Sequence, residues 1–404
     1  HVGPFLEDRR EAVSLFLHWT RELARSGMLD VLSIGTSQLT QEAFGEPWDD
    51  RPNGGGVPLN SVQELAQVWS AARPMLVRTY AGTRHMAKLA RIHEQTLDIA
   101  WHALSLWWFC QADGRGPNPV RLNLAEHLDT LQVIAASGKP FEPNVPHHFA
   151  FRGADDVSYV LSGFLAAQAA KAAGVSTLVL QVMLNTPKHT WGIQDLAKAR
   201  ALVRLTRELE DDSFRVLLQP RGGLDYFSPD EHRARVQLAA VTALMDDIEP
   251  ERVSSPPVIH VVSYSEANRL ADPAVVIESC QLTRHALSEY RALKARGLLP
   301  DLRRDPEVEA RTQHLVAEAE VLLTDMRRHL PDLTTAEGLY RVMADGYFPL
   351  PQLWACREEF AAATAWRTQF LNGGVQVVDA EGRPVSARTR VEALAEGRRH
   401  VART

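Results

Sequence analysis

Residues 214–226 read FRVLLQPRGGLDY. Positions 214–218 are almost all apolar, as a strand buried on both faces requires. The run breaks at Gln219, Pro220, Arg221, Gly222 and Gly223, a polar loop predicted to end the strand, and a helical pattern follows over 229–246. The same order recurs along the chain. Predicted strands at 28–34, 74–80, 177–184 and 258–263 exit onto Thr36 and Ser37, onto Arg78 and Tyr80, onto Asn185 and Thr186, and onto Ser263 to Glu266. Each is followed by a helical stretch. Strand–loop–helix units with polar residues at the strand exit predict an α/β protein of the (β/α)8 TIM-barrel class, with its active site on the C-terminal rim. Residues 1–330 are assigned to the barrel. Residues 331–404 lose the rhythm, carry the turns NGG and EGRP, and are read as a small C-terminal α+β cap.

The chain has 404 residues, 45% of them hydrophobic, and a net charge of −6 without a concentrated basic tract. That balance argues against a nucleic-acid partner. Three scattered cysteines suggest neither a disulfide framework nor a zinc site, so a reducing cytoplasm is expected. No signal peptide is visible, and the most apolar helix, 159–173, is too short to cross a bilayer and carries Gln168 and Lys171. The chain opens HVGPF ahead of a predicted amphipathic helix at 6–26. The first barrel strand is therefore expected upstream of His1 or within the opening few residues.

Several stretches draw attention as site candidates. Asn53, Gly54, Gly55 and Gly56 form a loop whose glycines admit positive φ or close approach of a flat ligand, or are simply flexible surface. Arg78 stands where a buried strand residue would ordinarily be Val or Ile; it is either paired internally or aimed at a ligand carboxylate. A polar loop carries Arg115, Asn118 and Arg121, and an extended segment at 139–146 leads to Asn144, His147 and His148. Adjacent histidines rarely converge on one ion, so a polar rim is the reading there and no metal site is assigned.

In this order the elements resemble the large subunit of coenzyme-B12-dependent glutamate mutase (methylaspartate mutase). The resemblance runs over nearly the whole chain and rests on collinear short matches: DVLSIGTSQLTQ, NGGGVPLN, VRTYAGT, KPFEPNVP, GFLAAQAAKAAGVSTLVLQ, WGIQDLAKARAL, QPRGG and VVSYSEAN. It implies a barrel mouth closed by a separate small cobalamin-binding subunit carrying an Asp-x-His-x-x-Gly motif, with adenosylcobalamin held mainly by that partner. It also implies a homodimer of the large subunit and radical rearrangement of a glutamate-like amino acid or related small acid. The one Asp-x-His here, Asp230 to His232, has Arg235 where glycine should be, which places the main cofactor site elsewhere.

Position by position, the resemblance makes Glu266 the contact to the adenosyl ribose and Arg78 one of three carboxylate-gripping arginines. The second arginine falls at Gln41, the family lysine falls at Val262, and the ammonium-binding glutamate has no counterpart within 109–121. Arg221 stands where the family has an uncharged residue. The candidate catalytic residues are thus Glu266, Arg78 and Arg221. Substrate contacts are assigned to Gln41, Arg78, Arg121, Asn144, His148, Gln219 and Arg221. Cofactor contacts are assigned to Thr36, Asn53, Gly54, Gly55, Gly56, Asn60, Asn185 and Glu266. A barrel enzyme without B12, or a non-catalytic barrel that binds a partner subunit, are the competing readings.

Overall fold

A computed structural model describes residues 1–300 and 302–401, with the side chains of 397–401 excepted. Six parallel strands form one sheet in sequential order: β1 (Val31–Ser33), β2 (Leu76–Tyr80), β3 (His102–Leu104), β4 (Phe141–Pro143), β5 (Thr177–Met183) and β6 (Arg215–Arg221). Every residue of β5 is buried, which its largely apolar composition anticipates. The sheet is curled like half a barrel, so that inward side chains of β2, β4, β5 and β6 touch one another: Arg78, Glu142, Gln181 and Gln219. Helices lie between successive strands. Val62–Ala72, between β1 and β2, and the flanking helices Arg9–Ser26, Glu231–Met245 and Pro273–Ala295 begin on Ser61, Asp8, Asp230 and Asp272, whose side chains accept first-turn N–H groups.

Three elements differ from the sequence reading. β6 continues through Pro220 to Arg221, pairing Val182 with Pro220 and Met183 with Arg221. Proline survives there because its missing N–H faces away from β5, on the side where its carbonyl accepts from His260 N (3.0 Å). The helical stretch that follows the 74–80 strand, which the sequence pattern extends over 85–103, ends at Leu97, and β3 begins at His102. The segment 258–263 lies beside β6 through that His260 bond but forms no named strand. At the opposite edge Val2 bridges Ile34 in parallel, with Val2 N donating to Ser33 O and Gly35 N to Val2 O.

Residues from 331 onward are not set apart from the rest of the core. The helix Ala336–Ala344 gives its Leu339 carbonyl to Trp107 Nε1 (2.8 Å), and Phe348 packs edge-on against Phe149. Antiparallel β7 (Arg367–Leu371) and β8 (Gly374–Val378) turn at Asn372 and Gly373, both at positive φ as a tight two-residue hairpin needs. Buried Arg390 ties the C-terminal helix to Asp155 (3.0 Å) and to the Tyr347 carbonyl (2.7 Å). No helix among the described residues is long and apolar enough to cross a membrane.

Two buried histidines set the acid limit of this core. His127 contacts the Asn123 carbonyl through Nδ1 (2.7 Å) and the Ser105 N–H through Nε2 (3.3 Å), an arrangement that needs a neutral ring with its proton on Nδ1. Burial lowers its pKa to about 4, and burial together with His102 lowers that of His93 to about 3. In the unfolded chain both titrate near 6.5, so below that pH only the unfolded state gains the protons. Stability should therefore fall as pH drops from about 6.5 toward 4, by roughly 1.4 kcal/mol per unit per histidine. Urea midpoints measured across pH 8 to 4.5 check this; a flat profile below pH 6.5 refutes it, and His127→Gln should lose part of the slope.

Candidate functional site

The inward face of the sheet carries a polar layer centred on Glu142 of β4, which is fully buried. One carboxylate oxygen accepts from Arg78 Nη2, Asn144 Nδ2 (2.6 Å) and Gln181 Nε2 (2.9 Å). The other accepts from Arg78 Nε (3.1 Å), Trp101 Nε1 (2.6 Å) and Gln219 Nε2 (3.4 Å). Arg78 completes its fork on Ser33 Oγ (3.1 Å). Burial opposes the Arg78 charge, but Glu142 and Tyr80 outweigh it and hold the guanidinium above its ordinary pKa. Of the two alternatives open for Arg78, the structure shows internal pairing. It also borders a smaller cavity of about 430 Å³, between β1 and residues 256–261.

Above this layer, at the C-terminal ends of the strands, lies a chamber of about 960 Å³. Its walls come from every strand exit of the six-stranded sheet but that of β5, and from the 258–263 segment: Thr36 after β1, Tyr80 of β2, Phe109 and Arg115 after β3, His147 and His148 after β4, Arg221 of β6, and Glu266 after residue 263. Tyr80 links the two levels, because its hydroxyl donates to Asn144 Oδ1 (2.9 Å) while its ring packs on Phe109 (centroids 5.1 Å apart). Burial raises the Tyr80 pKa, so its phenol stays protonated and remains a donor.

Arg221 is 3% exposed, and among the described residues its side chain makes no hydrogen bond or ion pair; its Nε is buried without a partner. Burial lowers its pKa from the ordinary arginine value, with Arg78 adding repulsion, yet a guanidinium remains charged. A buried cation without a counter-ion is costly, and an anion in the chamber removes that cost. Burial, with Arg221 and other cations adding to it, pushes the imidazoles of His147, His148 and His260 well below their usual pKa, so these rings are neutral. Both nitrogens of His148 are buried without partners.

No protein-family model and no curated protein matches the chain. The functional reading rests on the geometry. The chamber gathers Thr36, Gln41, Asn53, Gly54, Gly55, His148, Arg221 and Glu266 from the sequence candidates. Thr36 Oγ1 is buried and unpartnered, and Gln41 Nε2 donates to the Thr36 carbonyl (3.0 Å). Glu266 stands exposed on the rim. Asn53 Oδ1 accepts from Leu39 N (3.0 Å) and Gly54 N (2.9 Å), which shapes the glycine loop.

The other candidates do other work. Gly56 is packed against the β1 exit, where a Cβ would stand 2.1 Å from the Gly35 carbonyl oxygen, so it serves the fold rather than a ligand. Asn60 braces the loop through Gly45 N (2.7 Å) and Glu46 O (2.9 Å). Asn185 is buried against Asp195 and the Thr190 carbonyl. Arg121 is ion-paired with Glu337 and lies 4.0 Å over the Tyr340 ring, because its helix faces the helix Ala336–Ala344. Gln219 and Asn144 belong to the Glu142 layer beneath. Asp230 caps its helix through His232 N and Arg233 N.

Sequence reading noted Tyr80, Arg115 and His147 but assigned them no contact, passed over His260, and missed Glu142 altogether. The one local signal for Glu142 is a carboxylate between Phe141 and Pro143 in a predicted extended segment. Replacing Glu142 with glutamine leaves Arg78 buried without its counter-charge. It should cost about 3–5 kcal/mol of stability, read as a lowered denaturant midpoint, whereas an unchanged midpoint would show that Arg78 finds compensation elsewhere.

Proposed function

We propose that this chain is the catalytic barrel subunit of an adenosylcobalamin-dependent carbon-skeleton mutase, acting on a small acid whose carboxylate is received by Arg221. The observation that carries the proposal is the buried, unpartnered Arg221 guanidinium in a roofless chamber at the strand ends. In this reading the six-stranded sheet is completed to a (β/α)8 barrel by the Val2 segment and residues 258–263. Two bonds support that closure, the Val2 bridge to Ile34 and His260 N to Pro220 O. The collinear motifs of the resemblance supply the reaction class.

The chamber rim suits the adenosyl group. Gly54 and Gly55 have open space where a Cβ would project, so a flat ligand can lie against their backbone. Thr36 Oγ1 and the Glu266 carboxylate are unengaged polar groups placed to take hydroxyls. When bound, adenosylcobalamin supplies the radical that abstracts hydrogen. The chain's part is to anchor the acid on Arg221, to floor the chamber with the Tyr80 ring fixed by its bond to Asn144, and to keep the reacting carbon away from water. A small Asp-x-His-x-x-Gly subunit holding the cobalt is the proposed partner. Exposed Leu270 lines the mouth it would cover, and exposed Trp354 lies against Gly114 of the same lining.

Titration of the chain with adenosylcobalamin, alone and with such a partner, tests the reading by visible spectroscopy. Tight binding by the isolated chain, or none in the presence of the partner, defeats the two-subunit scheme. Gly54→Val, at a position without positive φ, should block that assembly while leaving the thermal melt unchanged. Arg221→Met should weaken acid binding about tenfold or more, the scale of a charge-assisted contact; calorimetry showing wild-type affinity removes the carboxylate anchor from the scheme.

A further inference from the structure

We infer that the chamber selects a small diacid that carries no ammonium group, with Arg115 as the anchor for the second acid. The inference rests on the reading of Arg221 as an acid receptor and extends it to the substrate's class. Arg115 lines the same chamber, half exposed, with its guanidinium 4.8 Å over the Phe109 ring. Its ion-pair partner among the described residues is Asp113, whose Oδ2 is 3.8 Å from Nε, beyond hydrogen-bond reach. Asp113 is already engaged, accepting from Phe109 N (3.1 Å) and Cys110 N (2.9 Å) and standing 3.6 Å from Arg152. The Arg115 fork is therefore available to a ligand at the chamber wall.

His147 and His148 line the same chamber as the two guanidiniums, with ring centroids 4.2 Å apart. Burial, aided by the repulsion of Arg221, Arg115 and Arg152, keeps both rings from taking a proton. A ligand ammonium in the same space meets the same two penalties, loss of water and like charge. No carboxylate is placed to relieve it inside. Among the described lining residues Glu266 is the sole acid, and it stands exposed on the rim, where an ion pair is worth little. Glu142 lies below with both oxygens already accepting three donors each. Arg269, the third lining arginine, is occupied by Glu231 (2.8 Å). The chamber thus offers the unpartnered Arg221, an Arg115 fork with no hydrogen bond to protein among the described residues, and neutral imidazoles, which suits two carboxylates and repels an amine.

Calorimetric titration of the full-length chain with matched acids tests this. Succinate and glutarate are compared with aspartate and glutamate, in both enantiomers, and with butyrate as the monoacid. The diacids should bind at least tenfold more tightly than the amino diacids and than butyrate. Arg115→Gln should reduce succinate and glutarate to the butyrate level while leaving butyrate unchanged, with an unaltered thermal melt as the control for folding. Amino diacids binding as tightly as the diacids, or an Arg115→Gln loss shared equally by butyrate, overturns the inference and leaves the Arg221 anchor standing. If Arg221→Met changes none of these affinities, or no acid binds at all, the underlying acid-binding reading fails as well.

Discussion

Glu142 brings six donors from β2, β4, β5, β6 and the approach to β3 onto two oxygens at the centre of the curled sheet. A carboxylate in a dry interior is tolerable only when its charge is matched and its lone pairs are filled. Here Arg78 supplies the charge and the amides and the indole fill the remainder. The consequence is geometric. The inward residues of successive strands are locked to one point, and the residues one pleat higher, Tyr80 and Arg221 among them, take their positions above it.

The contrast between Arg78 and Arg221 follows from that arrangement. Both are buried arginines on inward-facing strand positions, and they lie close enough for each to disfavour the other's charge. Arg78 is saturated, so its role is structural. Arg221 sits at the end of β6, above the reach of Glu142, and has no protein partner to satisfy it among the described residues. One interaction thus makes both the foundation and the vacancy of the site: the layer that consumes every donor around Glu142 leaves the next layer with a bare cation. The neutral histidines on the wall belong to the same field, because burial, with Arg221, Arg115 and Arg152 nearby, keeps protons off them.

The rim is built with less rigid means. Asn53 orders the glycine loop by accepting two backbone N–H groups, while Gly56 packs on the β1 exit where no side chain would fit. The remaining two glycines face open space. Residues beyond 331 grip the outside of the curled sheet's helical layer through Trp107, Asp155 and the aromatic cluster around Phe348 and Phe149, which fixes the exit loops after β3 and β4 from behind. The C-terminal region thereby buttresses those loops.

Much of the architecture was legible in the chain. Alternating apolar strands and amphipathic helices depend on local periodicity, so the parallel α/β order, the strand at Phe214 and the glycine loop could be read directly. Arg221 was legible too, as a cation where an apolar strand ends. The partner of Arg78 was not, because Glu142 lies 64 residues away and meets it only through the curl of the sheet. The same holds for Arg121, turned aside by Glu337, and for Pro220, which continues β6 because its missing N–H faces a neighbour rather than β5. Sequence determines which residues are buried in strands and which stand at their ends, since that is a property of local pattern. Which of those buried charges is satisfied and which is left for a ligand is decided by long-range pairing, and only the tertiary structure sets that.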